Sequence, residues 1–267
     1  MLKVPILTYH SQNVQGESTA DNDHAALATD LPAIYAAGFR VVPLDRLVDA
    51  LDRGKAPREL KRAVVLSFDD GCDFDVRDID YPGHGMQRAF AAILKGVRQA
   101  VPPARDLHAT TFVIASSEAR QSIDAGSLFG HGWISDDWWE ATDRGGLIAV
   151  ENHGWDHNHP DLEGDDRGSF HAVDTHEQCL EQVVRAAGTI AARTGRWPRY
   201  FAYPFGESSR YIRETFFPEF PAVHGCRAAL GTDPGPVTAK SNRWDLPRYV
   251  CGRDWTTPDE LIALLKN

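Results

Sequence analysis

Cysteine is scarce in this chain of 267 residues: Cys72, Cys179, Cys226 and Cys251 are the whole complement, too widely spread for a disulfide framework or a zinc ribbon. No apolar run is long enough to span a bilayer. Nor does any Lys/Arg-rich run offset the formal net charge of −10, which repels phosphate backbones and anionic lipid surfaces. Neither nucleic acid nor membrane is therefore expected as a partner. Repeats, low-complexity tracts and long linkers are missing too, which leaves a single domain over 1–267 as the expected organisation. The opening MLKVPILTYH reaches a polar His at position 10, too early for a secretory apolar segment and cleavage site, and reads as a first strand. With the scattered thiols, the expectation is a reduced, cytoplasmic setting.

What is present is an ordinary globular composition, 42% hydrophobic and 25% charged, in a length that α/β barrels fill as one domain. Short apolar runs rich in β-branched or aromatic residues recur: VPILTY (4–9), FRVVPL (39–44), AVVLSF (63–68), ATTFVIA (109–115), LIAVEN (147–152), YFAYP (200–204), RAALGT (227–232) and LPRYV (246–250). These read as buried strands. Helical patterns lie between them, the clearest over 176–194. There Leu180, Val183, Val184, Ala187, Ile190 and Ala191 repeat at helical spacing behind a Thr175-x-x-Gln178 capping box, and Gly195 marks the end. Further helices are expected over 24–37, 45–53, 87–99, 135–145 and 257–265. Strands alternating with helices imply βαβ units and parallel pairing, and seven or eight such units favour a barrel over an open sheet.

In a parallel barrel, catalytic groups stand where strands end and loops begin. Four run-ends carry polar residues: Tyr9-His10, Asp69-Asp70-Gly71, His153-Gly-Trp-Asp-His157 and Phe205-Gly206-Glu207. An Asp-Asp-Gly alone is commonly a turn, and an HxxxH pair alone can be two surface imidazoles. At i, i+4 on a helical turn, however, both rings would share one face, as one cation requires. A carboxylate and two imidazoles at separate strand ends, which the fold would bring together, raise the pattern above either motif. Such a set suits Zn(II) first, with Co(II), Ni(II) or Mn(II) possible, and leaves positions for water and a substrate oxygen. Successive side chains at a strand end diverge, so one aspartate ligates and the other is free to act as a base.

These segments resemble the motifs of the polysaccharide deacetylases, carbohydrate esterase family 4 or the NodB-homology domain. Ser67-Phe-Asp-Asp-Gly71 is similar to the family's (S/T)FDDG and His153-Gly-Trp-Asp-His157 to its HxxxH. ILTYHS and FAYPFGE resemble segments of its bacterial members. The resemblance implies an α/β fold, a distorted (β/α) barrel with about seven parallel strands. It also implies Asp69 as general base, one divalent cation on Asp70, His153 and His157, and an acetylated oligo- or polysaccharide as substrate. Substrate contacts are expected from Trp155 and from Tyr203, Pro204, Phe205 and Gly206. Trp133, Trp138 and Trp139 lie close in sequence to Trp155, the last two reading as helix packing residues.

Two departures stand out. Where the family often places an Arg that orients the base, this chain has Ala202, so Arg243 and Arg248 become candidates for the role. No Leu-x-His motif follows His224 to supply the general acid, and His10 is the best substitute. His159, two residues past His157, could compete with it as ligand. The acidic stretch Asp73-Phe-Asp-Val-Arg-Asp78 reads as a solvated loop rather than a second metal site. Cys72 lacks a paired base and is not expected to be a nucleophile. The expected activity is removal of acetyl groups from N-acetylated, less readily O-acetylated, sugars. Two other functions remain open: an amidohydrolase of a small-molecule amide on the same scaffold, and a noncatalytic carbohydrate-binding protein.

Overall fold

All eight apolar runs become strands in the computed structural model, which describes residues 2–54 and 57–267. They are β1 (Ile6–Tyr9), β2 (Arg40–Val41), β3 (Ala63–Phe68), β4 (Ala109–Val113), β5 (Ile148–Asn152), β6 (Tyr200–Ala202), β7 (Ala228–Leu230) and β8 (Tyr249–Val250). Seven follow the order β7-β6-β5-β4-β3-β1-β8, every neighbour parallel, and β2 pairs with the first residues of β3. The sheet curls into a half-barrel, the distorted (β/α) barrel that was expected. Leu246 bridges to Leu230 just before the chain enters β8, drawing the two edges of the sheet together.

Strand periodicity sorts the core. Ile6, Ala63, Val65, Phe112, Ala202 and Leu230 pack together on one face of the sheet. Leu7, Tyr9, Val64, Leu66 and Phe68 face the other way, onto the helix α1 (Asp23–Ala36), the helix Phe90–Ala100 and the C-terminal helix Pro258–Lys266. Continuing the first set by twos gives Thr8, Ser67 and Asp69, so that face runs from hydrocarbon to polar at its upper end. Thr8 Oγ1 and Ser67 Oγ lie 2.9 Å apart there.

Helices form close to expectation. The Thr175–Gln178 capping box is present, and Gly195 ends the helix in the left-handed conformation at φ 74°. Between them a π turn interrupts the helix at Leu180–Arg185. The 135–145 pattern is shorter, Trp139–Gly145, with Trp138 and Trp139 buried as packing residues. Elements not foreseen include the antiparallel pairs Ile79–Tyr81/Gly85–Gln87 and Lys3–Val4/Val237–Thr238, the helical stretch 210–219 and the helix Ser117–Ser127. The helix buries only a narrow stripe around Ala119 and Ile123, too little apolar periodicity to read. The 73–78 stretch is corrected as well: Asp73, Phe74 and Asp75 are buried, because Asp73 accepts hydrogen bonds from Ser135, Trp138 and Arg77. Among the described residues no helix is long and apolar enough to cross a membrane, and all four cysteines are free and buried.

One buried carboxylate makes stability pH-dependent. Asp30 accepts from Tyr9 Oη (3.0 Å) and Trp255 Nε1 (2.8 Å) with no cation beside it, and burial raises its pKa to about 6 from an ordinary 3.8. A raised carboxyl stabilises the fold while protonated, and that contribution disappears as pH climbs from about 4 through about 6. Denaturant unfolding should show Asp30→Asn gaining on the wild-type protein by about 2–3 kcal/mol between pH 4 and pH 7.5. Parallel stability curves for the two proteins would refute this.

Candidate metal centre

The β3 strand ends at Phe68, and the two aspartates that follow part company. Asp69 keeps the alternation and lies 3% exposed against Arg248, which donates from Nη1 to Oδ1 (2.8 Å) and from Nη2 to Oδ2 (2.9 Å). Asp70 leaves the strand at φ 73°, left-handed, which turns its carboxylate onto the top of the barrel. Gly71 follows at φ 67°, and a Cβ there would stand 2.6 Å from Val113 Cγ1. Gly71→Ala therefore combines backbone strain with overpacking, and should cost about 2–4 kcal/mol in denaturant unfolding. A cost under about 0.5 kcal/mol, that of an ordinary surface change, would show that the turn tolerates a side chain.

Beyond β5, the histidine motif is an irregular loop, not the helical turn expected of i, i+4 spacing. Gly154 at φ 91° and His157 at φ 62° fold it back on itself. Gln182 holds it from the long helix, accepting from Trp155 N (3.0 Å) and donating to Asp156 Oδ1 (2.6 Å). The two imidazoles converge all the same. His153 Nε2 is 3.3 Å and His157 Nε2 3.4 Å from Asp70 Oδ1, with all three ligand atoms inside 4.8 Å of one another. Ligands about 2.0–2.1 Å from a tetrahedral Zn(II) stand about 3.3–3.4 Å apart, so these spacings suit one cation. His153 Nδ1 donates to Ala202 O (2.9 Å), which leaves the Nε2 lone pair facing Asp70. The departure at Ala202 is thus absorbed: its carbonyl orients a histidine, while Arg248 grips the base. Arg243 pairs instead with Asp52.

Electrostatics separates the members of the group. Burial pushes Asp69 up, but Arg248 and His153 outweigh it and hold the carboxyl below its ordinary range. Asp70 is likewise raised by burial and driven well below that range by His153 and His157. Burial lowers His153, yet Asp69 and Asp70 prevail and raise it, whereas burial takes His157 down to about 3. His157 is accordingly neutral, the form that ligates.

The centre opens into a cleft of about 600 Å³ at the ends of the strands. His10, Phe205, Gly206 and His159 line it. The His10 backbone N–H donates to Asp23 Oδ2 (2.7 Å), fixing the end of β1 beside the aspartates. Phe205 stands edge-on to His157, 4.4 Å between centroids. His159 lies outside the converging triad, its Nδ1 accepting from Asp161 N (3.2 Å). Three expected substrate residues do not line the cleft. Trp155 lies under the Arg185 guanidinium (3.6 Å), Tyr203 is buried with its hydroxyl donating to Trp244 O (2.6 Å), and Pro204 is buried. Sequence reasoning missed Gln12, whose Nε2 donates to Asp70 Oδ2. Its position three residues past Tyr9, at a strand end, was the available signal.

A family model described as polysaccharide deacetylase matches residues 56–216, well over half the chain. The chain belongs to the polysaccharide deacetylase family. Solved structures similar to it share the barrel at low identity. IcaB from Ammonifex degensii is 17% identical at a TM-score of 0.67, over 100% of this chain and 98% of that one. The Streptococcus pyogenes deacetylase PplD in complex with acetate is 16% identical at 0.64, over 99% of each chain. A Bacillus cereus polysaccharide deacetylase is 16% identical at 0.63, over 98% of this chain and 69% of its own. At these identities the likeness shows the fold. No curated protein matches the sequence. Among the described residues of this family member, Asp70, His153 and His157 form the single cluster of carboxylate, imidazole or thiol groups placed to share one ion.

Proposed function

We propose that this polysaccharide deacetylase hydrolyses the acetamido group of N-acetylated sugars, releasing acetate and a free sugar amine, with one divalent cation, zinc first, on Asp70, His153 and His157. The observation that carries the proposal is the adjacency of two differently held aspartates, one facing two imidazoles and the other clamped by a buried arginine. A cation bound there supplies Lewis acidity, polarising the acetamido carbonyl and making water more acidic. The chain's own groups do the rest. Asp69 accepts the proton of the attacking water, since Arg248 holds both its oxygens in a fixed plane. Gln12 anchors the second oxygen of Asp70, and the Ala202 carbonyl keeps the His153 ring in place. His10, in the cleft wall, is the proton donor to the departing amine nitrogen as the C–N bond breaks.

Phe205 and Gly206 border the site from the loop after β6, and a Cβ on Gly206 would strike Thr232, so this rim is held tightly. Metal analysis of the purified chain, joined to an acetate-release screen over chitin oligomers, poly-N-acetylglucosamine, peptidoglycan and acetylated xylan, tests the proposal. Acetate release that depends on the added cation is expected from N-acetylated members. Oligosaccharide binding without acetate release in the cation-loaded protein would establish a binding protein instead.

A further inference from the structure

The cleft has two halves of different chemistry. Apart from the candidate metal centre, its polar lining comes mainly from the loops after β1, β7 and β8, among them His10, Gln12, Asn13, Thr232 and Arg253. The other half is hydrocarbon: Val14, Ile114, Ile123, Leu128 and Ile134, joined by Cys72 and Tyr81. These residues form one continuous cluster with Phe74 beneath. This half adjoins the metal centre directly. Cys72 stands two residues past Asp70, Ile114 follows directly on β4, and Val113 before it lies against Gly71. Its floor and far wall are the two elements inserted between strands, the helix Ser117–Ser127 and the pair Ile79–Tyr81/Gly85–Gln87, which supply Ile123, Leu128 and Tyr81.

The methyl of an acetyl group needs little more room than one water, about 30 Å³ of liquid volume. A cleft of about 600 Å³ with this much aliphatic wall offers far more. A sugar ring is a poor occupant of the apolar half. Its hydroxyls would face mainly branched aliphatic side chains, with the Cys72 thiol, the Tyr81 hydroxyl and a Ser127 hydroxyl already donating to Asp161 to replace the water they lose. Branched side chains offer no flat ring face for stacking, and the Tyr81 ring, 9% exposed and stacked on Trp133, leaves little of one. An alkyl chain incurs no such penalty and gains about 0.8 kcal/mol for each methylene buried.

We propose that the apolar half of the cleft seats the hydrocarbon chain of an N-acyl group longer than acetyl, its carbonyl lying at the Asp70, His153 and His157 centre and its sugar against the polar half. The proposal rests on the deacylation described above and narrows its substrate class. Removal of such a group follows the same balance: water adds to the acyl carbon, the C–N bond breaks, and a fatty acid and a free amine leave.

The test is calorimetric binding of N-acetyl-, N-butyryl-, N-hexanoyl- and N-octanoylglucosamine to the full chain loaded with Zn(II), with hydrolysis of the same compounds followed separately. The dissociation constant is expected to fall about threefold to fourfold per added methylene up to hexanoyl. Two fillings from different segments, Ile123→Trp and Ile134→Phe, should erase that gain and leave acetyl binding within about twofold. Equal affinity for all chain lengths, or a gain that both fillings leave intact, overturns the proposal. Tightest binding of the long chains with hydrolysis of none leaves the seat standing and removes the deacylation on which it was built. Flat binding with hydrolysis of the acetyl compound does the reverse.

Discussion

His153→Ala is expected to abolish stoichiometric binding of the divalent cation and acetate release together. His153 supplies one of three ligand atoms, and its ring is fixed from behind by the Ala202 carbonyl. Losing only such an outer hydrogen bond costs about 10–100-fold in metal affinity, so losing the ligand should cost more than a hundredfold. Metal content measured after gel filtration reports this directly. Thermal midpoints give a second view: a cation at about 100 times its dissociation constant stabilises the native chain by about 2.7 kcal/mol, and His153→Ala should not show that rise. His159→Ala is the companion variant. Its ring bonds to the Asp161 backbone outside the triad, so metal content and turnover should both survive. If His159→Ala loses the metal and His153→Ala keeps it, the ligand set is wrong.

How far the sequence carried the fold depended on which forces wrote it. The central strand runs were legible because they are buried on both faces, as Ala63–Phe68 is at all six positions, and burial of that kind leaves an uninterrupted apolar word; the short strands Arg40–Val41 and Tyr249–Val250 are less deeply covered. The candidate metal ligands were legible as a group because strand order brings the ends of β3 and β5 onto one rim, with β4 between them. What stayed hidden was side-chain direction. Asp70 joins the histidines through a left-handed backbone at φ 73°, and the histidine motif closes through Gly154 and His157 rather than a helical turn. Spacing alone is silent about both. Trp155 shows the same limit. It sits inside the motif, yet the loop turns its ring onto Arg185, far along the chain on the following long helix. Arg248 was one of two candidates for orienting the base, and only the return of the chain past Leu246 into β8 separates it from Arg243.

Asp69→Asn is the second variant of large effect. A positioned base contributes about 10²–10⁴-fold, so turnover should fall by about a thousandfold while the cation stays on Asp70, His153 and His157. The substitution also does something structural. Arg248 is fully buried and donates to both Asp69 oxygens, with Ser67 Oγ and Gly231 O as its other acceptors. Asn keeps one acceptor and sets an amide N–H₂ against the guanidinium, leaving a buried cation without its counter-charge. Removing one partner of a buried pair costs about 3–5 kcal/mol, so the variant should also be less stable. Lost turnover could then be mistaken for lost fold. The double variant Asp69→Asn/Arg248→Met separates the two: with the cation gone, the charge imbalance goes too, and most of the stability should return. Turnover should not return, because the proton acceptor is still missing. Recovery of acetate release in the double variant would place the base elsewhere and reduce Asp69 to a structural counter-ion for Arg248.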